Sequence, residues 1–269
     1  MRWLFLVLVI GLNLTCELLK NPAKPGEDNP FDPDNPDYVP PTTEIYTGPH
    51  DSETIGVDSV IFEWRGSHPE CYFSYSLDDE TWSEWSRDTV LIRTYLDEGD
   101  HAFSVKCRYP SGEVEKEPLV IRFTVDAIAG PALWICHKKT STLINSDFSI
   151  DVILEEVSNL SMASIVVNFD PTYLQIQSYA VLEDESILSG KQLIKVNNYD
   201  NNGKLTVYLA LVGESNPVLS GTGSIIRVHF LSLKRGTTEI EFGDECYFRK
   251  ADNTEIPIVN KVKSLVEIE

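Results

Sequence analysis

At 269 residues the chain has room for about two domains of roughly 100 to 150 residues each, and 42% hydrophobic with 10% aromatic content excludes global disorder. A formal net charge of −20 argues against nucleic acid or an anionic lipid surface as partner, because both repel a strongly acidic chain. Its simplest reading is solubility in an extracellular setting.

The N-terminus carries one cation, Arg2, and then an almost unbroken apolar run from Trp3 to Leu14. That run is too short to span a bilayer and has the form of an export signal. It ends at Leu12-Asn13-Leu14-Thr15-Cys16, which resembles the lipobox of bacterial lipoproteins, with Asn13 and Thr15 where that family usually has Leu and a small residue. The resemblance implies a signal peptide over residues 1–16, lipidation of Cys16 and contact with a membrane through the lipid anchor only. Acylation by two or more chains makes such an anchor stable. The expected location is outside the cytoplasm, on the cell surface or outer membrane.

Residues 17–43 are rich in Pro, Asp and Asn, with Asn29-Pro30, Asp32-Pro33, Asn35-Pro36 and Pro40-Pro41 among the pairs. Such a composition buries too little apolar area to offset ordering and predicts a disordered tether, extended by proline at about 3 Å per residue to roughly 80 Å.

From 44 to 126, short alternating segments recur between turn signals: Val60–Trp64, Cys71–Leu77, His101–Cys107 and Leu119–Val125. Evenly spaced strands predict an antiparallel β-sandwich. Tyr75-Ser76-Leu77-Asp78, Leu96–Val105 and Phe123-Thr124-Val125-Asp126 resemble the Ig-like or fibronectin-III-like modules of bacterial surface proteins. Trp82-Ser83-Glu84-Trp85-Ser86 matches the W-S-x-W-S box of class I cytokine receptors, but follows a mid-domain strand instead of lying near the last one. Packing over a strand edge is the plainer expectation, with sugar stacking on exposed tryptophans the binding alternative.

Besides Cys16 the chain has four cysteines, an even number that suits an oxidising compartment. With Leu77 opposite His101, Phe73 faces Val105 and Cys71 faces Cys107, so strand register predicts a Cys71–Cys107 disulfide worth roughly 3 to 4 kcal/mol. Cys136 and Cys246 form a second possible pair without a register argument.

Residues 127–131, with Gly130-Pro131, read as a linker. Over 132–269 strand patterns resume without an amphipathic helix of ordinary length. The clearest is Ala163–Phe169, where Ile165, Val167 and Phe169 form one buried face and Asp170-Pro171 ends the strand, since proline lacks an N–H and aspartate bonds to the backbone ahead. Around nine strands predict a double-sheet jelly roll.

Asp151–Leu160 leading into Val167–Leu174, with Asn202-Gly203-Lys204-Leu205 and Ser220–Phe230, resembles a cohesin domain. The resemblance covers residues 132–269. It implies an all-β chain of two β-sandwich domains, an Ig-like sandwich followed by a nine-stranded cohesin-like jelly roll of the carbohydrate-binding-module type. It further implies binding of a dockerin-like module, with a link to polysaccharide breakdown. Met162 and Ser164 stand where well-known cohesins carry a polar Asn and Asp, so that specificity is not expected. The outward residues Val166 and Asn168, bordered by Tyr199, Asp200 and Tyr208, are the candidate partner contacts.

No metal-ligand spacing occurs among His50, His68, His101, His137 and His229, and no G-x-S-x-G, P-loop or H-E-x-x-H motif is present. Asp200-Asn201-Asn202-Gly203 reads as a turn, and Asn159-Leu160-Ser161 is a sequon relevant only in a eukaryotic secretory pathway. The expectation is a non-enzyme without cofactor that binds a dockerin-like module or a polysaccharide. The alternative is a structural envelope protein that assembles through both sandwiches.

Overall fold

The computed structural model describes residues 29–78, 80–184, 186–200, 202–213 and 217–269. The signal segment 1–16 with Cys16, and residues 17–28, lie outside the described residues. Among the described residues there are strands and no helix.

The first domain has seven strands, β1 (Thr43–Thr47), β2 (Glu53–Ile55), β3 (Ser59–Gly66), β4 (Tyr72–Leu77), β5 (Val90–Thr94), β6 (Gly99–Arg108) and β7 (Leu119–Val125). They form a three-stranded sheet β1-β3-β5 over a four-stranded sheet β2-β7-β6-β4. Alternation makes the sandwich: in β3, Val60, Phe62 and Trp64 are buried while Ile61 is exposed. Phe62 stacks on Phe103 from the opposite sheet, ring centroids 4.0 Å apart.

Part of the expected tether is folded. Residues 29–38 run as successive turns, and Phe31 packs its ring 4.8 Å from Tyr109 and 4.7 Å from His68. The Tyr109 hydroxyl donates to the Val39 carbonyl at 2.6 Å. Aromatic burial against the sandwich outweighs the bias of the flanking Asp-Pro and Asn-Pro pairs.

The Cys71–Cys107 disulfide is not formed; the four cysteines of the described residues are free thiols. The β4–β6 register is two residues away from the expected one: Phe73 pairs with Cys107 and Leu77 with Phe103. Cys71 therefore falls just before β4, and the two buried thiols are neighbours without a bond. Burial pushes the Cys107 thiol up to about 12. Nor do Cys136 and Cys246 pair. Cys136 donates to Asp97 at 3.5 Å, its thiol pushed up to about 12 chiefly by burial, while Cys246 contacts the Val166 backbone on another sheet.

The second domain has β8 (Ala132–Cys136), β9 (Lys139–Thr142), β10 (Asp147–Leu160), β11 (Met162–Phe169), β12 (Leu174–Val181), β13 (Gln192–Asp200) and β14 (Lys204–Val212). It continues with β15 (Leu219–Ser232), β16 (Gly236–Phe242), β17 (Tyr247–Arg249), β18 (Glu255–Ile256), β19 (Asn260–Val262) and β20 (Ser264–Ile268). One sheet runs β12-β15-β10-β8-β19; the other runs β13-β14-β11-β16-β20-β9, with β17 also on β11 and β18 on β17. The nine expected strands are present. The extra ones, β9, β12, β18 and β19, are edge or end strands; β9, β18 and β19 have little apolar alternation, whereas β12 begins with the buried pair Leu174 and Ile176.

Ile165, Val167 and Phe169 are buried in the core, and Phe169 meets Phe230 of the other sheet edge to face at 5.1 Å. Asp170 ends β11 as its chemistry dictates: its carboxylate accepts the Thr172 N–H at 2.8 Å, and its carbonyl those of Tyr173 and Leu174. Gly203, φ +89°, closes the β13–β14 hairpin so tightly on β11 that a Cβ there would lie 2.1 Å from the Phe169 carbonyl oxygen. Only glycine fits.

The Asp97-Glu98 turn between β5 and β6 of the first domain makes the main polar joint to the second sandwich, with Asp58 also 3.8 Å from Lys138. Asp97 accepts the N–H groups of His137 and Lys138, each at 2.8 Å. Glu98 accepts those of Ala127 and Ile128, and takes the buried Lys138 ammonium at 2.7 Å. The Lys138 side chain is 2% exposed and that of Glu98 9%, so neither charge has water in place of its partner.

Two stability predictions follow this packing. Ile165→Ala should cost about 2–5 kcal/mol in urea unfolding, the range for a buried aliphatic truncation. Lys138→Ala should cost roughly 3–5 kcal/mol because it strands the Glu98 carboxylate, while the double variant Lys138→Met with Glu98→Leu should recover much of that loss.

Candidate functional site

The outer face of the second sheet is set by period-two alternation. Because the core takes Ala163, Ile165, Val167 and Phe169 of β11, the residues between them face away. Register then extends the face across neighbouring strands. Ser164 is opposite Tyr208 of β14 and Tyr247 of β17, and Tyr208 is opposite Val196 of β13. One row further, Met162 lies opposite Ala210 and Arg249, and Ala210 opposite Ile194. Toward the other end, Asn168 is opposite Lys204, and Lys204 opposite Asp200.

The face is apolar where it is open. Ile194 is 58% exposed, Val196 57% and Tyr208 44%, all three near the free edge of the sheet. Tyr247 carries the Arg249 guanidinium 5.2 Å from its ring centroid. Tyr, Met and Arg around exposed aliphatics make up the composition favoured at the centre of protein–protein interfaces. A polar rim closes one side: Lys204 donates to Glu245 at 2.6 Å, and that hydrogen bond holds the Glu245 carboxyl below its ordinary range.

Of the five expected contacts, Tyr208 lies in the open patch and Asn168, half-buried, at its polar end. Val166 does not: it is 1% exposed because the Gly243–Cys246 segment folds over it, the Gly243 N–H donating to its carbonyl at 2.9 Å. Tyr199 points the other way, into the core, its ring stacked 6.5 Å from Phe169. The parity of β13 decides this, since Tyr199 pairs with the inward Leu205. Asp200 is the last residue of β13; its side chain lies outside the described residues. Ile194, Val196, Tyr247 and Arg249 were missed by sequence reasoning. The signal for two of them was the surplus of apolar residues in Leu193-Ile194-Lys195-Val196, where both parities carry aliphatics.

The tryptophan box of the first domain is a packed structure. Lys106 lies 4.0 Å over the Trp82 ring and 5.7 Å from that of Trp85, Arg108 lies 4.6 Å from Trp85 and 5.7 Å from Tyr72, and Arg87 lies 5.0 Å from Tyr72. Rings and cations interleave along β4 and β6, so the box is held over its strand edge by cation–π attraction.

The fold and this face define a β-sandwich module with an exposed apolar patch. Residues 137–268 match the family model described as Cohesin domain, and this half of the chain is a cohesin domain, a non-catalytic protein-binding type. No curated protein matches the chain. Among solved structures, it is similar to a non-cellulosomal cohesin from the hyperthermophilic archaeon Archaeoglobus fulgidus, at 14% identity over 51% of this chain and 90% of that one, TM-score 0.41. It is also similar to the sixth cohesin of Acetivibrio cellulolyticus scaffoldin B, solved in complex with a Cel5 dockerin mutant, at 19% identity over 52% of this chain and all of that one, TM-score 0.44. A type II cohesin from the cellulosome of Acetivibrio cellulolyticus matches at 17% identity over 49% and 94%, TM-score 0.40.

Opposite burial of two valines gives a direct check of the face. Val196→Asp should change unfolding free energy by no more than about 0.5 kcal/mol, as for other surface substitutions, whereas Val166→Asp should cost about 4 kcal/mol or more by burying a charge. Urea titration of the two variants separates them.

Proposed function

We infer that the chain is a non-catalytic scaffolding protein of the cell surface, whose cohesin domain captures a dockerin-like module through the outer face of β17, β11, β14 and β13. The observation that carries this reading is the open apolar patch of Ile194, Val196 and Tyr208 beside the free edge of β13, which register continues toward Tyr247 across Ser164, itself only 1% exposed. Met162 and Ser164 offer no charged group, so the partner is held by aliphatic and aromatic contact with polar trimming from Lys204, Glu245 and Arg249. A dockerin-borne enzyme acting on polysaccharide is the cargo this arrangement suits; direct polysaccharide binding is the lesser reading. The first domain serves as an Ig-like spacer. Cys16, acylated, anchors the mature protein, a reading supported by Arg2, the Trp3–Leu14 run and the lipobox-like sequence; mass spectrometry of the mature N-terminus tests it.

The docking reading is tested by calorimetric titration of the chain and of Val196→Asp against a panel of purified dockerin modules, beside a glycan array. Binding of at least one dockerin is expected, weakened by Val196→Asp on the order of 30-fold or more, the scale of a hot-spot residue. Silence across the dockerin panel, or equal affinity of the variant, overturns it.

A further inference from the structure

We propose that Asp97, Cys136 and His137 bind one divalent cation of the zinc class and that this ion pins the two domains together. Asp97 comes from the β5–β6 turn of the first domain; Cys136 ends β8 of the second, and His137 follows it. Their ligating atoms all lie within 4.8 Å of one another.

Two of the three inter-ligand distances match the edges of a coordination tetrahedron. With bonds of about 2.3 Å to sulfur and about 2.0 Å to nitrogen and oxygen, a tetrahedral zinc ion requires S···O and N···O edges of about 3.5 and 3.3 Å. Cys136 Sγ lies 3.5 Å, and His137 Nδ1 3.3 Å, from the same oxygen, Asp97 Oδ2. The backbone is arranged to permit this. Consecutive residues of a strand point to opposite faces, but His137 has φ +65°, which breaks the alternation and lets both side chains reach Asp97. The carboxylate is already held for the task by the N–H groups of His137 and Lys138.

Charge and donor type agree with the ion. On binding, the Cys136 thiol gives its proton to solvent and the sulfur forms the metal bond; neutral His137 contributes a lone pair and Asp97 one negative charge. A thiolate, a carboxylate and an imidazole neutralise a divalent cation, and the sulfur and nitrogen select a borderline-soft metal over calcium or magnesium. Asp151, bound to Arg227 through two contacts of 2.8 Å, adds negative potential at both Cys136 and His137. Asp97 and His137 line a cleft with Tyr95, His101 and Lys139, while Cys136 shares a neighbouring cavity with His137, Asp151 and His229; water would complete the shell.

The test is titration of the chelator-treated full chain with cobalt(II), followed by zinc. A near-ultraviolet sulfur-to-cobalt charge-transfer band should saturate at a single ion per chain and vanish as zinc displaces cobalt. Cys136→Ser should abolish the band, and His137→Ala should weaken cobalt binding by more than the ~10–100-fold that loss of an outer-shell group costs. Cys246→Ser should leave it unchanged. Zinc should raise the thermal midpoint of the parent chain and not that of Cys136→Ser, whose circular dichroism should match the parent's. Absence of the band in the parent, or its persistence in Cys136→Ser, overturns the proposal.

Discussion

The structure of the second domain depends on the register of β11. This strand is hydrogen-bonded to β14 on one side and to β16 and β17 on the other, and its inward residues Ile165, Val167 and Phe169 sit in the core. A slip by one residue would exchange that apolar set for Met162, Ser164, Val166 and Asn168, so register is strongly specified. Everything on the outer face inherits its position from this choice. Tyr208 and Tyr247 flank Ser164 because each is opposite it, and Val196 joins the row because it is opposite Tyr208. The composition of the outer face is therefore a consequence of core parity.

Parity was readable in the sequence where one strand carried a clean alternation, as in Ala163–Phe169, and so were the Asp-Pro stop, the all-β class and the cohesin resemblance. The segments quoted for that resemblance meet in space: Asp151–Leu160 lies in β10 and Ser220–Phe230 in β15, which pair with each other. What alternation cannot reveal is which strand comes next and at what offset. Tyr199 and Tyr208 look alike as tyrosines in neighbouring strands, yet their opposite partners place one in the core and one on the surface. Val166 had the right parity, but a loop some 80 residues away covers it. The cysteine register failed for a related reason, since β4 and β6 are separated by β5 of the other sheet, so no local turn fixes their offset, and a two-residue change preserves the buried face while moving Cys71 past Cys107.

The domain junction was the least legible feature. Asp97 and His137 are 40 residues apart in sequence and belong to different sandwiches, so no local spacing joins them. Three polar groups there are withdrawn from water together: the Lys138 ammonium and the Asp97 and Glu98 carboxylates. Burying charge is costly unless each group is paired and hydrogen-bonded, and here nearly every donor and acceptor comes from the opposite domain or the linker. The arrangement contributes specificity of orientation more than net stability, because a displaced domain would leave these charges without partners.

That orientation matters for how the docking face is presented. The sequence assigns residues 17–43 to a spacer, but from Asn29 onward the chain lies against the first sandwich. The direction of the Tyr208 face relative to the first sandwich follows from the contacts of the Asp97-Glu98 turn. A polar, well-satisfied joint limits the reorientation of one sandwich against the other, because turning it would strip these charged groups of their partners.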